Sequence, residues 1–116
     1  MIGKARARYV HVSPRKARAL AALIRGKPVE EALNILHFSV QRSSIPLEKT
    51  IRSAVANALQ KEAEDEEGHR DQDAEHMEIK EIQIDGGPMR KWILPRAMGR
   101  ATRVRRRTSH ITVVVG

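Results

Sequence analysis

The chain of 116 residues contains no cysteine, which excludes disulfides and thiolate metal sites and suits a reducing compartment. Aromatic residues make up only 3%, and Tyr9, Phe38 and Trp92 are all of them, so a core must be built from alanine and aliphatic side chains. No apolar run reaches the roughly 18 residues of a membrane span, and the basic residues 1–9 lack the apolar region of a signal peptide. We therefore expect one soluble, intracellular domain over residues 1–116.

Acidic residues are absent from both ends of the chain. The net charges of residues 1–29, 30–85 and 86–116 are +8, −8 and +8. Like charges at this density repel one another unless a polyanion neutralises them, and phosphate contacts by Lys and Arg dominate binding to nucleic acid. The alternatives are a merely solubilising surface and an anionic membrane, but solubility alone does not require that both ends exclude every acid. The charge pattern therefore predicts a nucleic-acid-binding protein.

The spacing of apolar residues predicts three strands and three helices. The strands are expected at residues 5–12, 77–85 and 110–115, and the helices at 14–25, 28–37 and from 44 or 40 to about 59. Alternation in the first strand places one set of side chains on a shared face, namely Arg6, Arg8, Val10 and Val12. In the second strand the apolar parity changes after Ile79, so a bulge near Lys80-Glu81 is needed to keep a single apolar face.

Proline, serine and glycine mark the predicted helix ends. Ser13-Pro14 is typical of an N-cap followed by proline in the first turn, and Gly26 of a C-terminal stop. Two starts are open for the third helix. Either Ser44 caps it with Pro46 in the first turn, or it begins near Val40 and bends at the proline.

An acidic segment follows the third predicted helix. Residues 60–76 contain eight acids, from Glu62 to Glu75, and no large aliphatic residue, which predicts a frayed helix end and a solvated loop. Several of its side chains are competent metal ligands: His69, Asp71, Asp73, Glu75 and His76. Their spacing matches no zinc, calcium or two-metal pattern, and a loop gives paired carboxylates no rigid placement for catalysis. We therefore expect no metal, no cofactor and no enzymatic activity.

Residues 86–109 carry eight Lys or Arg, no acid and few apolar side chains. If the strands at 77–85 and 110–115 pair antiparallel with Asp85 near Ile111, the chain turns at Ala97-Met98-Gly99-Arg100. Each arm would have about a dozen residues, so the hairpin would extend about 40 Å at about 3.3 Å per residue. An isolated two-stranded ribbon is marginal in water, but its guanidinium groups would be neutralised inside a large polyanion. The alternative is an unstructured basic linker.

Five motifs closely resemble those of the bacterial-type large-subunit ribosomal protein twenty-two family. They are VSPRKAR at residues 12–18, IRGK at 24–27, AVANA at 54–58, PRAMGRA at 95–101 and RTSHITVVV at 107–115. The resemblance covers nearly the whole chain in order, and the last two motifs are highly specific. It implies an α+β fold in which three helices pack on a small three-stranded antiparallel sheet, with a long protruding β-hairpin.

The resemblance also implies a function. The protein would be a structural constituent of the large ribosomal subunit in the cytoplasm, with large-subunit ribosomal RNA, neighbouring ribosomal proteins and the nascent peptide as partners. The tip would line the peptide exit tunnel with Arg96, Ala97, Met98, Gly99, Arg100 and Ala101. Two features depart from the family: the acidic segment is longer than usual, and position 98, often basic or polar, is Met.

Sixteen residues are the candidates for contact with ribosomal RNA. They are Arg6, Arg8, Arg15, Lys16, Arg18, Arg25, Lys27, Arg90, Lys91, Arg96, Arg100, Arg103, Arg105, Arg106, Arg107 and His110. Arginine contacts to phosphate and sugar fix position, while RNA shape supplies specificity. For Trp92 two roles stay open, stacking on a base or packing at the root of the hairpin. His110 either hydrogen-bonds RNA or lies at the strand edge.

A DNA-binding regulator is the main rival. The predicted helices 14–25 and 28–37, joined at Gly26, have the spacing of a helix-turn-helix. The second helix, however, carries Glu30 and Glu31 and no basic residue, which makes it a poor recognition helix. That hypothesis would also leave the basic hairpin unexplained.

Overall fold

The computed structural model of the chain describes residues 2–65 and 77–116. Its regular elements follow in chain order as β1 (Gly3–Val10), α1 (Pro14–Ile24), α2 (Val29–His37), α3 (Ser44–Asp65), β2 (Ile79–Pro95), a short 3₁₀ turn (Ala97–Gly99) and β3 (Ala101–Val115). The predicted α+β class, with three helices and a three-stranded antiparallel sheet, is confirmed. In these two ranges no helix is both long and apolar enough to cross a membrane.

The sheet has the order β1-β3-β2, so β3 is its central strand. The predicted bulge in β2 is confirmed, because its pairing with β3 shifts between Ile79 and Glu81. The register differs from the prediction by one residue: Ile111 pairs with Ile84, and Asp85 pairs with His110. Paired residues lie on the same face of a sheet, so the observed register matches two buried isoleucines. The predicted one would have put a carboxylate beside the core.

The prediction that Arg6, Arg8, Val10 and Val12 share one face of β1 is wrong. The register of β1 against β3 shifts between Ala7 and Val10, and Tyr9 has a φ of 57°. This extra residue turns Val10 toward the core, where it packs with Ala7, while the two arginines stay exposed. The strand ends at Val10, two residues earlier than predicted.

One apolar core lies between the helices and the sheet. α1 contributes Ala17, Leu20 and Ile24, and α3 contributes Leu47, Ile51, Ala54 and Ala58. These residues recur at the helical spacing from which the three helices were predicted, and in α2 Val29 and Leu36 are buried while Leu33 is partly so. Small alanines on α3 allow the helix backbone to approach β1 closely.

The observed helix ends agree only in part with the ends predicted from the sequence. α3 begins at Ser44, with Pro46 in its first turn, which decides between the two predicted starts. It continues to Asp65, inside the segment 60–76 that was predicted as a frayed helix end and a loop, and residues 66–76 of that segment lie outside the described residues. Ser13 occupies the N-cap position of α1, but its hydroxyl caps no N–H group among the described residues.

Gly3 marks the closest approach of β1 to α3, and its replacement gives a test of the packing. A Cβ at this position would collide with the carbonyl oxygen of Ala54 and lie 2.8 Å from the backbone nitrogen of Ala58. Backbone cannot move aside cheaply, so we expect Gly3→Ala to lower the free energy of unfolding by about 1–3 kcal/mol. Urea unfolding followed by circular dichroism measures this. Gly86→Ala is the matched control, since nothing described lies within 4 Å of its Cβ; equal stability of the two variants would contradict the packing.

Candidate nucleic-acid interface

β2 and β3 pair well beyond the part of the sheet that includes β1. The last pair of β1 is Val10 with Ser109, whereas β2 stays paired with β3 as far as Pro95 and Ala101. We call this two-stranded part, residues 86–109, the ribbon. The strands are joined at Ala97–Gly99, where Met98 has a φ of 62° and Gly99 of 70°. Positive φ at both central residues is the mark of a type I′ turn, which matches the twist of the two strands.

The ribbon has two different faces, because paired residues of antiparallel strands lie on the same side. One face, the cationic face, carries Met89, Lys91, Ile93, Arg103, Arg105 and Arg107. The other, the aromatic face, carries Arg90, Trp92, Leu94, Thr102, Val104 and Arg106. On the aromatic face the Arg106 guanidinium lies 5.9 Å from the centre of the Trp92 ring, a cation–π contact.

The cations of the ribbon are exposed, and none forms an ion pair within the part of the chain that the structure describes. The ion pairs there belong to other elements. Lys27 lies 3.9 Å from Glu31, and Glu48 lies 2.9 Å from Arg52 and 3.7 Å from His37. The hydrogen bond from Arg52 is the main cause that lowers the pKa of Glu48. Glu48 and Arg52 thus compensate each other on α3, whereas the ribbon has no such pair among the described residues.

Two predicted RNA-binding arginines contact the protein itself. Arg18 donates two hydrogen bonds, of 2.9 and 3.1 Å, to the carbonyl oxygen of Ile84, and Arg25 donates one of 3.0 Å to that of Ile82. These carbonyls belong to β2, the edge strand, so the two side chains attach α1 to the sheet. Both arginines keep their charge, because a carbonyl does not neutralise it.

His110 also has a contact within the domain. The backbone N–H of Tyr9 donates to its Nδ1 at 3.1 Å, and the two rings pack edge to face with centroids 4.9 Å apart. An accepting Nδ1 places the proton of the neutral ring on Nε2. His110 therefore holds the bulge of β1 against β3, and only its Nε2 side is available to an external partner.

The remaining predicted cations lie on separate surfaces. Arg6 and Arg8 are exposed on the edge strand β1, and Arg15 and Lys16 on the first turn of α1. The structure therefore does not bring all sixteen candidates together: the ribbon carries eight of them, and the other eight lie on β1, on α1 and the turn that follows it, and, for His110, on β3. The sequence prediction missed Arg42 and Ser43, which lie beside Lys16 and the base of the ribbon around one cleft. No local signal marks them, since they fall in the acidic middle of the chain.

The side chains of the acidic segment that were considered as metal ligands and rejected, from His69 to His76, lie outside the described residues. Elsewhere, over residues 2–65 and 77–116, no group of three or more His or carboxylate side chains is placed to hold a metal ion.

A small α+β domain with an acid-free, arginine-rich ribbon has the features that are typical of proteins that bind nucleic acid. Comparison with known proteins gives the family: the model of the family described as "Ribosomal protein L22p/L17e" matches residues 5–116. The chain is 52% identical over 112 residues to the large ribosomal subunit protein uL22 of Desulfitobacterium hafniense, covering 97% of this chain and 91% of that protein. It is 45% identical over 115 residues to the uL22 of Geobacter sulfurreducens, covering 99% and 96%.

The chain belongs to the L22p/L17e family of ribosomal proteins. It is accordingly a structural constituent of the large ribosomal subunit and not an enzyme, as the sequence motifs predicted.

The contacts of Arg18 and Arg25 predict that these residues contribute to folding in the absence of RNA. Arg18→Ala removes two hydrogen bonds to an edge carbonyl, so we expect a loss of about 1–2 kcal/mol in the free energy of unfolding. Arg15→Ala is the matched control: the same charge is lost from the same helix, but Arg15 is exposed and makes no side-chain hydrogen bond among the described residues. Thermal unfolding of the RNA-free protein measures both. If the two variants unfold alike, the attachment of α1 to β2 does not stabilise the domain.

Proposed function

We propose that this protein binds large-subunit ribosomal RNA through its ribbon and the cations of β1 and α1, and supports assembly of the subunit in the cytoplasm. The observation that carries the proposal is the unpaired charge of the ribbon, with eight exposed cations and no acid. Such a surface is unfavourable alone and favourable against phosphates, because binding releases the counterions condensed on the RNA. Arginine predominates, and its planar fork donates two parallel hydrogen bonds to a phosphate.

The ribbon, in this proposal, projects from a single domain into the RNA. Three observations support a projection. Side chains from Arg90 to Arg103 are exposed, the two strands pair there only with each other among the described residues, and the principal dimensions of the molecule are 70 × 25 × 16 Å. A projecting ribbon meets phosphates on both faces, while the rest of the domain keeps an ordinary core.

The tip of the ribbon, Arg96 to Ala101, is proposed to line the passage of the nascent peptide. The support is the match of PRAMGRA to the family motif together with the shape of the turn, which leaves Met98 97% exposed. Neighbouring ribosomal proteins would contact the domain surfaces that the RNA leaves open.

Salt dependence tests the electrostatic part of the proposal. If at least six phosphates are contacted, affinity for a ribosomal RNA fragment should fall about 1,000-fold or more between about 50 and 200 mM salt. Arg105→Gln should reduce the slope of log Kd against log salt by about 1 and leave the melting temperature unchanged, because the side chain is exposed. Filter binding over a salt series gives the affinities and their slope, and thermal unfolding gives the melting temperature. Duplex DNA of equal length is the control, and a flat response, or tighter binding to the duplex, would refute the proposal.

Gly99→Val tests the tip. Gly99 has a φ of 70°, where a β-branched side chain is strained although nothing lies within 4 Å of its Cβ. We expect the variant, like deletion of residues 96–101, to assemble into subunits but to change nascent-chain stalling and sensitivity to antibiotics that bind in the tunnel. Ala101→Val adds the same side chain to a strand position and should have a smaller effect. Wild-type stalling and sensitivity in ribosomes with Gly99→Val and with the deletion would exclude a role at the tunnel wall.

A further inference from the structure

A cleft of about 1530 Å³ lies at the base of the ribbon. Its walls come from four parts of the molecule: the loop between β1 and α1, the first turns of α1, the loop between α2 and α3, and the half of the ribbon that is nearer to the sheet. Residues far apart in the sequence, such as Lys16, Arg42 and Trp92, therefore surround one space. The volume is sufficient for a nucleotide together with water.

The charge of the cleft is of one sign. Six cations are among its lining residues: Lys16, Arg42, Arg90 and Arg106, together with Arg105 and Arg107 from the cationic face of the ribbon. None of the described lining residues is acidic. Concave walls with one sign of charge concentrate the field and favour an anion inside. The cleft is thus suited to a ligand that carries phosphate.

Ser43 supplies an independent indication of a ligand. The residue is only 5% exposed, lines the cleft, and its hydroxyl has no hydrogen-bond partner among the described residues. Its neighbour Ser44 shows the usual arrangement, since that hydroxyl donates to the carbonyl oxygen of Gln41 at 2.7 Å. A buried hydroxyl without a partner is unfavourable. Its oxygen is closed to the cleft as the side chain stands, so a ligand oxygen would satisfy it after a rotation about the Cα–Cβ bond of Ser43.

The third feature of the cleft is an apolar surface. Trp92 is 38% exposed and contributes to the lining together with Val104, with which it pairs on the aromatic face. An aromatic ring that is neither fully buried nor isolated is a platform for a nucleobase, and the nearby Arg106 strengthens such stacking. A base within a duplex does not present its face, so the platform suits an unpaired base.

We propose that the cleft holds one unpaired nucleotide of RNA, with its base on Trp92 and its phosphate against Lys16, Arg42 and the Ser43 hydroxyl. The inference rests on the RNA binding proposed above and adds to it a defined site for a single strand. It also assigns Trp92 to base stacking, one of the two roles that the sequence left open.

The test uses the 116-residue chain and an RNA single strand of about ten nucleotides. One base of the strand is 2-aminopurine, the base that is to stack on Trp92, and a duplex of the same sequence serves for comparison. Trp92 is the only tryptophan, so its fluorescence reports directly on stacking. We expect the single strand to quench this emission and the duplex to leave it nearly unchanged. Fluorescence anisotropy of an end-labelled strand gives the affinity of every variant, including those without tryptophan.

Two pairs of variants separate the site from general charge attraction. Trp92→Leu should weaken single-strand binding about 10-fold, whereas Ile93→Ala, on the opposite face and outside the cleft lining, should not. Ser43→Ala should weaken binding several-fold yet leave the melting temperature of the RNA-free protein unchanged or raised, because an unsatisfied hydroxyl is removed. Ser53→Ala, an exposed serine outside the cleft lining, should change neither.

The outcomes distinguish this inference from the proposed function. If Trp92→Leu and Ser43→Ala bind the single strand as tightly as the wild type, or if the duplex quenches Trp92 equally, the nucleotide site is refuted. Salt-dependent binding of ribosomal RNA by the wild type would then still support the proposed function. If the wild type instead bound ribosomal RNA with an affinity that does not depend on salt, the proposed function itself would be refuted, whatever the fluorescence of Trp92 shows.

Discussion

The structure depends on the continuity of β3. This strand runs from Ala101 to Val115, and its alternation never breaks, so one face carries Ile111, Val113 and Val115 in the core. The same face carries Arg103, Arg105 and Arg107 beyond Ser109, because side chains of a strand repeat with a period of two. A single strand is therefore aliphatic where helices cover it and cationic where they do not. The register that fixes the core also fixes which ribbon face is cationic.

At the junction between the sheet and the ribbon, side-chain hydrogen bonds hold β3 in place. Ser109 is fully buried, and its hydroxyl donates to the carbonyl oxygen of Val12 at 2.7 Å, while Thr108 donates to that of Pro88 at the same distance. The pairing of β2 with β3 shifts there, between Gly86 and Met89. Side-chain hydrogen bonds thus replace ladder bonds at the one position where β1 ends and the ribbon continues with two strands.

Short-range sequence patterns predicted the features that depend on neighbouring residues: the helices, the bulge in β2 and the turn of the ribbon. Periodicity gave the helical stripes, the parity change after Ile79 gave the bulge, and the pairing of two flanking strands led to the turn at residues 97–100. The bulge at Tyr9 was not predictable, because the sequence of β1 alone fits a regular strand with alternating side chains. Only the packing of Val10 against the core selects the shift in register between β1 and β3. Arg42 and Ser43 enter the site through the path of the α2–α3 loop, which is a tertiary feature without a sequence signal.

The basic residues divide by what they contact, not by their position in the sequence. Arg18 and Arg25 donate to carbonyls of the edge strand β2, and such contacts protect an edge against pairing with another chain. A carbonyl is neutral, so these arginines stabilise the domain and still add to its positive potential. The fold and the positively charged surface consequently share part of their cations: hydrogen bonds place the charge of Arg18 and Arg25, and no ion pair compensates it among the described residues. The acid-free ends thus serve the fold as well as the positively charged surface, which charge counting alone does not reveal.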